Sequence, residues 1–194
     1  MLVAVALIST KCTNEKKEET SEVKPTVAQF GGFDNQVKWG ERLVTICGCN
    51  DCHTPKKMGP KGPENDMSLM LSGHPSKVPA PDIDPKEAAK KGLIVTQTFT
   101  SWTGPWGTTY AANLTSDSTG IGNWKEEQFI KALHEKKWMG LENTRPLMPP
   151  MSMMPATEMS DDELKAIFAY LKTTPPVKNV IPEAALMPPP PPAK

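Results

Sequence analysis

Little in this chain can fill a large core unaided. Aromatic residues make up only 6% of its 194 residues and hydrophobic residues 38%, so a bound apolar cofactor is one way to close the interior. Charge of one sign is also missing. Lysine plus arginine and aspartate plus glutamate number 22 each. That balance removes the basic footprint of a nucleic-acid binder, and with it a strongly steered, basic docking face. The apolar run Leu2–Ile8 is too short to span a bilayer. No internal repeat is visible. Cysteine and histidine are scarce, at four and three residues, yet Cys47, Cys49, Cys52 and His53 fall together.

That cluster carries the chemistry. Cys49-Asn50-Asp51-Cys52-His53 has the Cys-x-x-Cys-His pattern of covalent haem c attachment. Two thiols on one turn can each add to a haem vinyl group, and the adjacent histidine then reaches the iron from the same side. A zinc site built from Cys47, Cys49, Cys52 and His53 would crowd four ligands into seven residues, whereas structural zinc sites draw on two separated pairs. A redox-active Cys-x-x-Cys wants a strand-to-helix context, and this motif follows a helical pattern. A disulfide would leave His53 without a role. Cys47 is expected to be a buried small hydrophobe, and His74 and His134 surface or half-buried histidines rather than iron ligands.

Four helices can be placed. One runs from Asn35 to Cys47, with Val37, Gly40, Val44 and Cys47 on one face and Gly40 marking a close helix crossing. A second starts at Asn123, which with Glu126 forms a capping-box pattern, and stops at Gly140. The last is capped by Ser160 and Glu163, stripes Leu164, Ile167, Phe168 and Leu171 along one face, and ends before Pro175. A short helix from Pro85 to Lys91 has Asp84 as its cap. Residues 54–83 and 98–122 have loop composition, with one short strand expected from Leu93 to Thr98. Loops this long usually wrap around something.

Proline is abundant, at 21, and stiffens the segment Arg145-Pro-Leu-Met-Pro-Pro-Met-Ser-Met-Met154. Its four methionines suit a loop presenting a sixth iron ligand, because proline fixes φ and limits how far a sulfur wanders.

The helix, the haem motif, the long loops, the Pro-flanked methionine and the final helix Met159–Leu171 together resemble a class I c-type cytochrome. More narrowly, they are similar to the haem domains of cytochrome subunits of bacterial quinoprotein and flavoprotein alcohol and sugar-acid dehydrogenases. The stretches Gly107–Thr115, Gly120–Trp124, Phe129–Leu133, Pro149–Met151 and Leu171–Val177 carry that likeness. The resemblance implies an all-α fold wrapping one haem, with Gly40 crossing the Phe168–Tyr170 region. It implies Met151 as the iron ligand beside His53, with Met148 the rival. A carbonyl of Pro60 or Pro63 would hold the His53 Nδ1 proton, and Trp106, Tyr110 and Asn113 would reach the haem propionates. Met153 and Met154 would pack as core. Those dehydrogenase subunits often carry three such domains, whereas this chain has one motif.

The expected organisation is therefore an export leader and charged tether over residues 1–34, a cytochrome domain over 35–176 and a Pro-rich tail over 177–194. The apolar run, Cys12 and the charged stretch after it resemble a bacterial lipoprotein leader, which would place the protein in the periplasm with lipid on Cys12. Lys11 departs from that pattern, and an ordinary export signal is the alternative. The expected function is electron transfer between redox protein partners, a dehydrogenase or an oxidase, with no enzymatic activity. A haem enzyme or gas sensor with an open iron position is the competing reading.

Overall fold

The computed structural model describes residues 29–188. Cys12 and the end of the proline run lie outside them. The described residues form helices α1 (Gln36–Ile46), α2 (Cys49–His53), α3 (Pro85–Lys90), α4 (Glu126–His134) and α5 (Asp161–Leu171), with five short strands in two sheets. None of these helices is long and apolar enough to cross a membrane.

Local chemistry sets the helix ends. Asn35 Oδ1 accepts the Lys38 N–H at 3.0 Å and starts α1. Asp84 accepts the Lys86 N–H at 2.9 Å ahead of Pro85, the first residue of α3. At α5 the capping box is complete. Ser160 Oγ accepts the Glu163 N–H at 3.3 Å, and Glu163 Oε2 accepts the Ser160 N–H at 2.8 Å. Two donors that the first turn would leave unpaired are thus satisfied. Ser160→Ala is expected to cost about 1 kcal/mol, read as a lowered denaturation midpoint; an unchanged midpoint would remove the cap from the account of this helix.

Helices α1 and α5 cross where α1 has no side chain. A Cβ at Gly40 would sit 1.8 Å from the Ala166 carbonyl oxygen and 2.9 Å from Tyr170 Cβ. Only glycine permits that backbone approach. Leu43 and Val44 of α1 and Leu164, Ile167, Phe168 and Leu171 of α5 are buried around the crossing. Helix α4 joins them through Phe129, whose ring centroid lies 5.3 Å from that of Phe168.

The fold is not all-α as expected. Two regions read as loops are antiparallel hairpins. In the first, β1 (Lys56–Gly59) pairs with β2 (Gly62–Asn65). In the second, β3 (Ser101–Gly104) pairs with β4 (Gly107–Tyr110), and β5 (Ala185–Leu186) adds to its edge. Thr103 and Thr108 face each other with hydroxyls 2.9 Å apart, a cross-strand pair of the kind that holds such ribbons. The strand expected at Leu93–Thr98 is a single bridge, Val95 to Thr103. Helix α4 starts later than the Asn123 cap implied: its N-cap is Lys125, with no side-chain cap bond. The reason is that Trp124 N–H still closes a turn onto Ile121 O at 3.0 Å. The helix also ends at His134, before Gly140, which instead lies against it; a Cβ at Gly140 would meet Gln128 O at 2.1 Å.

After α5 the chain runs back along the body. Asn113 Nδ2 donates to Val177 O at 2.8 Å, and Asn179 Nδ2 donates to Ser72 O at 2.8 Å and His74 O at 2.9 Å. Residues beyond Thr174 are therefore stitched to the loops that precede α4.

Candidate functional site

Gly48 adopts φ 66°, the left-handed region, between α1 and α2. That turn starts α2 straight after α1 and sets the haem motif on a helix of five residues. A Cβ there would also meet Asp51 Oδ2 at 2.8 Å. Cys49, Cys52 and His53 all line one cavity, whose walls are almost wholly apolar and include Trp102, Ile121, Trp124, Phe129, Ile167 and Leu171.

His53 is 5% exposed. Its Nδ1 donates to Ala112 O at 2.8 Å, because a carbonyl can only accept. The ring proton is thereby fixed on Nδ1, and Nε2 is left with its lone pair and no hydrogen-bond partner among the described residues. Burial lowers the His53 pKa, and the Ala112 bond opposes that shift in part. Pro60 and Pro63, the expected acceptors, are instead exposed in the β1–β2 hairpin. The second anchor of the motif is backbone: Gly73 N–H donates to His53 O at 2.7 Å.

Cys47, Cys49 and Cys52 are free thiols. Burial, with Cys47 and then Cys52 and Asp51 nearby adding to it, pushes Cys49 up to about 12. A redox-active Cys-x-x-Cys needs a depressed thiol pKa, so the site runs opposite to that reading. The zinc reading also lacks support: among the described residues no three Cys, His, Asp or Glu side chains gather as a metal site. Cys47 is half-buried and lines the cavity.

The methionine segment reaches the same cavity. Leu147 N–H donates to Lys136 O at 2.6 Å, and Thr109 Oγ1 donates to Pro149 O at 2.9 Å. Lys136 Nζ donates to Ser152 O at 2.6 Å. Met148, Met151 and Met154 line the cavity, while Met153 is 73% exposed and does not pack as core. The structure thus brings Cys49, Cys52, His53 and Met151 to one space.

The other histidines are elsewhere. His74 is fully buried rather than at the surface, with Nδ1 accepting from Thr100 Oγ1 at 2.9 Å and Nε2 donating to Val78 O at 2.8 Å. Both its nitrogens are spent on protein. His134 Nε2 donates to Met159 O at 2.9 Å.

The expected propionate partners fare unevenly. Asn113 is committed on both ends, its amide N–H groups to Thr119 and the C-terminal segment and its oxygen to Thr115. The Trp106 indole N–H faces Thr109 Oγ1 at 3.3 Å. Tyr110 lines the cavity. Sequence reasoning missed Arg145, which also lines it, stacked 4.1 Å over the Trp138 ring. Burial lowers its pKa, and its bond within the structure runs to Pro146 O at 3.1 Å. The signal for it was one cation inside a Pro-Leu-Met stretch.

Two thiols, an oriented histidine and a deep apolar cleft fit a covalently held haem. Comparison with known proteins agrees. The cytochrome c family, described as "Cytochrome c", matches residues 37–175. A nicotinate dehydrogenase subunit of Pseudomonas putida is 34% identical over 80 residues, covering 40% of this chain and 6% of that protein. The chain thus spans a small fraction of the length of that curated relative.

Proposed function

The chain belongs to the cytochrome c family, and we propose that its one haem c carries single electrons between redox protein partners, and that His53 and Met151 would hold the iron. The observation that supports this most is the cavity shared by the motif and the methionine segment. The haem supplies a one-electron ferric/ferrous couple. Cys49 and Cys52 would tether it, His53 would present Nε2 to the iron, and Met151 would offer a thioether, a ligand that favours the ferrous state. The apolar walls exclude water, and the half-buried Arg145 guanidinium offers donors to a propionate carboxylate. A dehydrogenase as electron donor is supported by the name of the relative, itself a dehydrogenase subunit. We place the protein outside the cytoplasm, with lipid on Cys12 as its anchor.

One measurement tests the reading: an optical spectrum of the protein recovered from the extracytoplasmic and membrane fractions. The expected result is low-spin, six-coordinate iron with a methionine-to-iron charge-transfer band that bleaches on reduction. A high-spin spectrum that shifts on adding cyanide would favour an enzyme or gas sensor with an open iron position. Haem protein confined to the cytoplasmic fraction would overturn the compartment.

A further inference from the structure

The β1–β2 hairpin, absent from the expected fold, fixes one side chain against the end of the motif helix. Lys56 opens β1, in register with Asn65, and the preceding Pro55 carbonyl accepts the Asp66 N–H at 2.8 Å. From that base Lys56 Nζ donates to Thr54 O at 2.7 Å, Asp51 O at 2.8 Å and, at greater length, Asn50 O at 3.4 Å. These carbonyls close α2, the end that carries the negative pole of a helix. Among the described residues Lys56 makes no direct ion pair, the Asp51 carboxylate acting on it only from a distance, and all its hydrogen bonds run to the helix end. Lys57 next to it is exposed and lies 3.9 Å from Glu64.

On the strength of the cytochrome reading, we infer that Lys56 is a positioning residue that locks the last turn of α2 and keeps the haem reduction potential high through a fixed positive charge at that end. Ferric haem carries one more positive charge than ferrous haem, so a nearby cation disfavours the ferric state. Removing the ammonium also uncovers the Asp51 and Thr54 carbonyl oxygens, whose partial negative charges stabilise ferric iron, while Asn50 O keeps the Thr54 N–H at 3.2 Å. Both effects act in the same direction. Lys56 is partly buried, so solvent and salt screen it less than they screen Lys57.

Redox titration of the haem-loaded protein tests this with Lys56→Met, Lys56→Gln, Lys56→Arg and Lys57→Gln. The Met and Gln variants should titrate at lower potential, with Met the lower because Gln keeps a donor to the carbonyls. Arg should stay nearer the wild type than either, and Lys57→Gln should leave the potential where it was. A wild-type potential in the Met and Gln variants overturns the inference, as does an equal fall in Lys57→Gln. Should the Met variant fail to retain haem, the Gln and Arg variants decide the matter by the same criterion. A wild type that binds no haem would instead sink the cytochrome reading, which is a separate failure.

Discussion

Replacing Cys49 and Cys52 together with alanine should leave no covalent haem, seen as loss of haem staining on a denaturing gel. Each thiol lines the cavity at one step of the same short helix, and among the described residues Cys47 is the one other thiol. That thiol sits two residues ahead of the motif, on the far side of the Gly48 turn, where the Cys-x-x-Cys-His spacing is lost. A single replacement keeps one thioether and should weaken retention without abolishing it. The double variant should also lose its fold. Leu114, Leu133 and Leu147 line the cavity and are only partly covered by protein, so a bound haem would complete their burial, and each such side chain is worth up to about 1.5–3 kcal/mol when fully buried. Losing the group that covers them removes several kcal/mol from a typical total of about 5–15. Circular dichroism should therefore show helix content collapsing along with the stain. Persistent staining in the double variant would refute covalent attachment at these two positions, and Cys47 would become the residue to test.

What could be read in the sequence divides by range. The ends of α1, α3 and α5 were legible because Asn35, Asp84 and the Ser160–Glu163 pair act on N–H groups two or three residues away. Gly40 was legible as a crossing because an apolar face with a central glycine has few other uses, though the backbone that it meets is Ala166 O. The acceptor of the His53 proton was not. Ala112 lies 59 residues along the chain, and any carbonyl serves equally, so no side chain announces it. Asn179, which ties the last segment to Ser72 and His74, is hidden for the same reason.

The hairpins were missed for a different cause. Gly59-Pro-Lys-Gly62 and Gly104-Pro-Trp-Gly107 read as loop punctuation, yet both are tight turns between strands of four residues. In the second, the flanking Trp102, Thr103, Thr108, Thr109 and Tyr110 are strand-favouring types, a signal that was present. In the first, Lys57, Met58 and Glu64 are exposed, so no alternation of apolar residues marks the strands.

Met151→Ala should abolish the charge-transfer band of the oxidised protein, lower its reduction potential and open the iron to small exogenous ligands such as cyanide. The family resemblance sets the ligand eight residues before Met159 and after two prolines. The fold adds a physical constraint. The Thr109 hydroxyl bonded to Pro149 O and the Ser152 N–H bonded to Met148 O at 3.2 Å hold the backbone on both sides of Met151. A ligand on a backbone held at both sides presents its sulfur with little conformational freedom to lose. Met148 and Met154 line the same cavity, so both are rivals, and the alanine variant of each is the necessary control. Loss of either thioether from an apolar wall should cost packing, about 2–5 kcal/mol where the site cannot collapse, while the band and the potential stay close to wild type. Met153, at 73% exposed, should tolerate alanine with no change in band or stability. If Met148→Ala loses the band and Met151→Ala keeps it, the ligand is Met148, and the electron-carrier reading stands on the other residue. If none of the four variants loses it, no methionine of this loop is the ligand. Both nitrogens of His74 are bonded, to Thr100 and Val78, whereas His134 bonds Met159 through Nε2 and holds Nδ1 3.6 Å from Asp161 Oδ1; neither side chain lines the cavity, so either would have to rearrange to reach the iron.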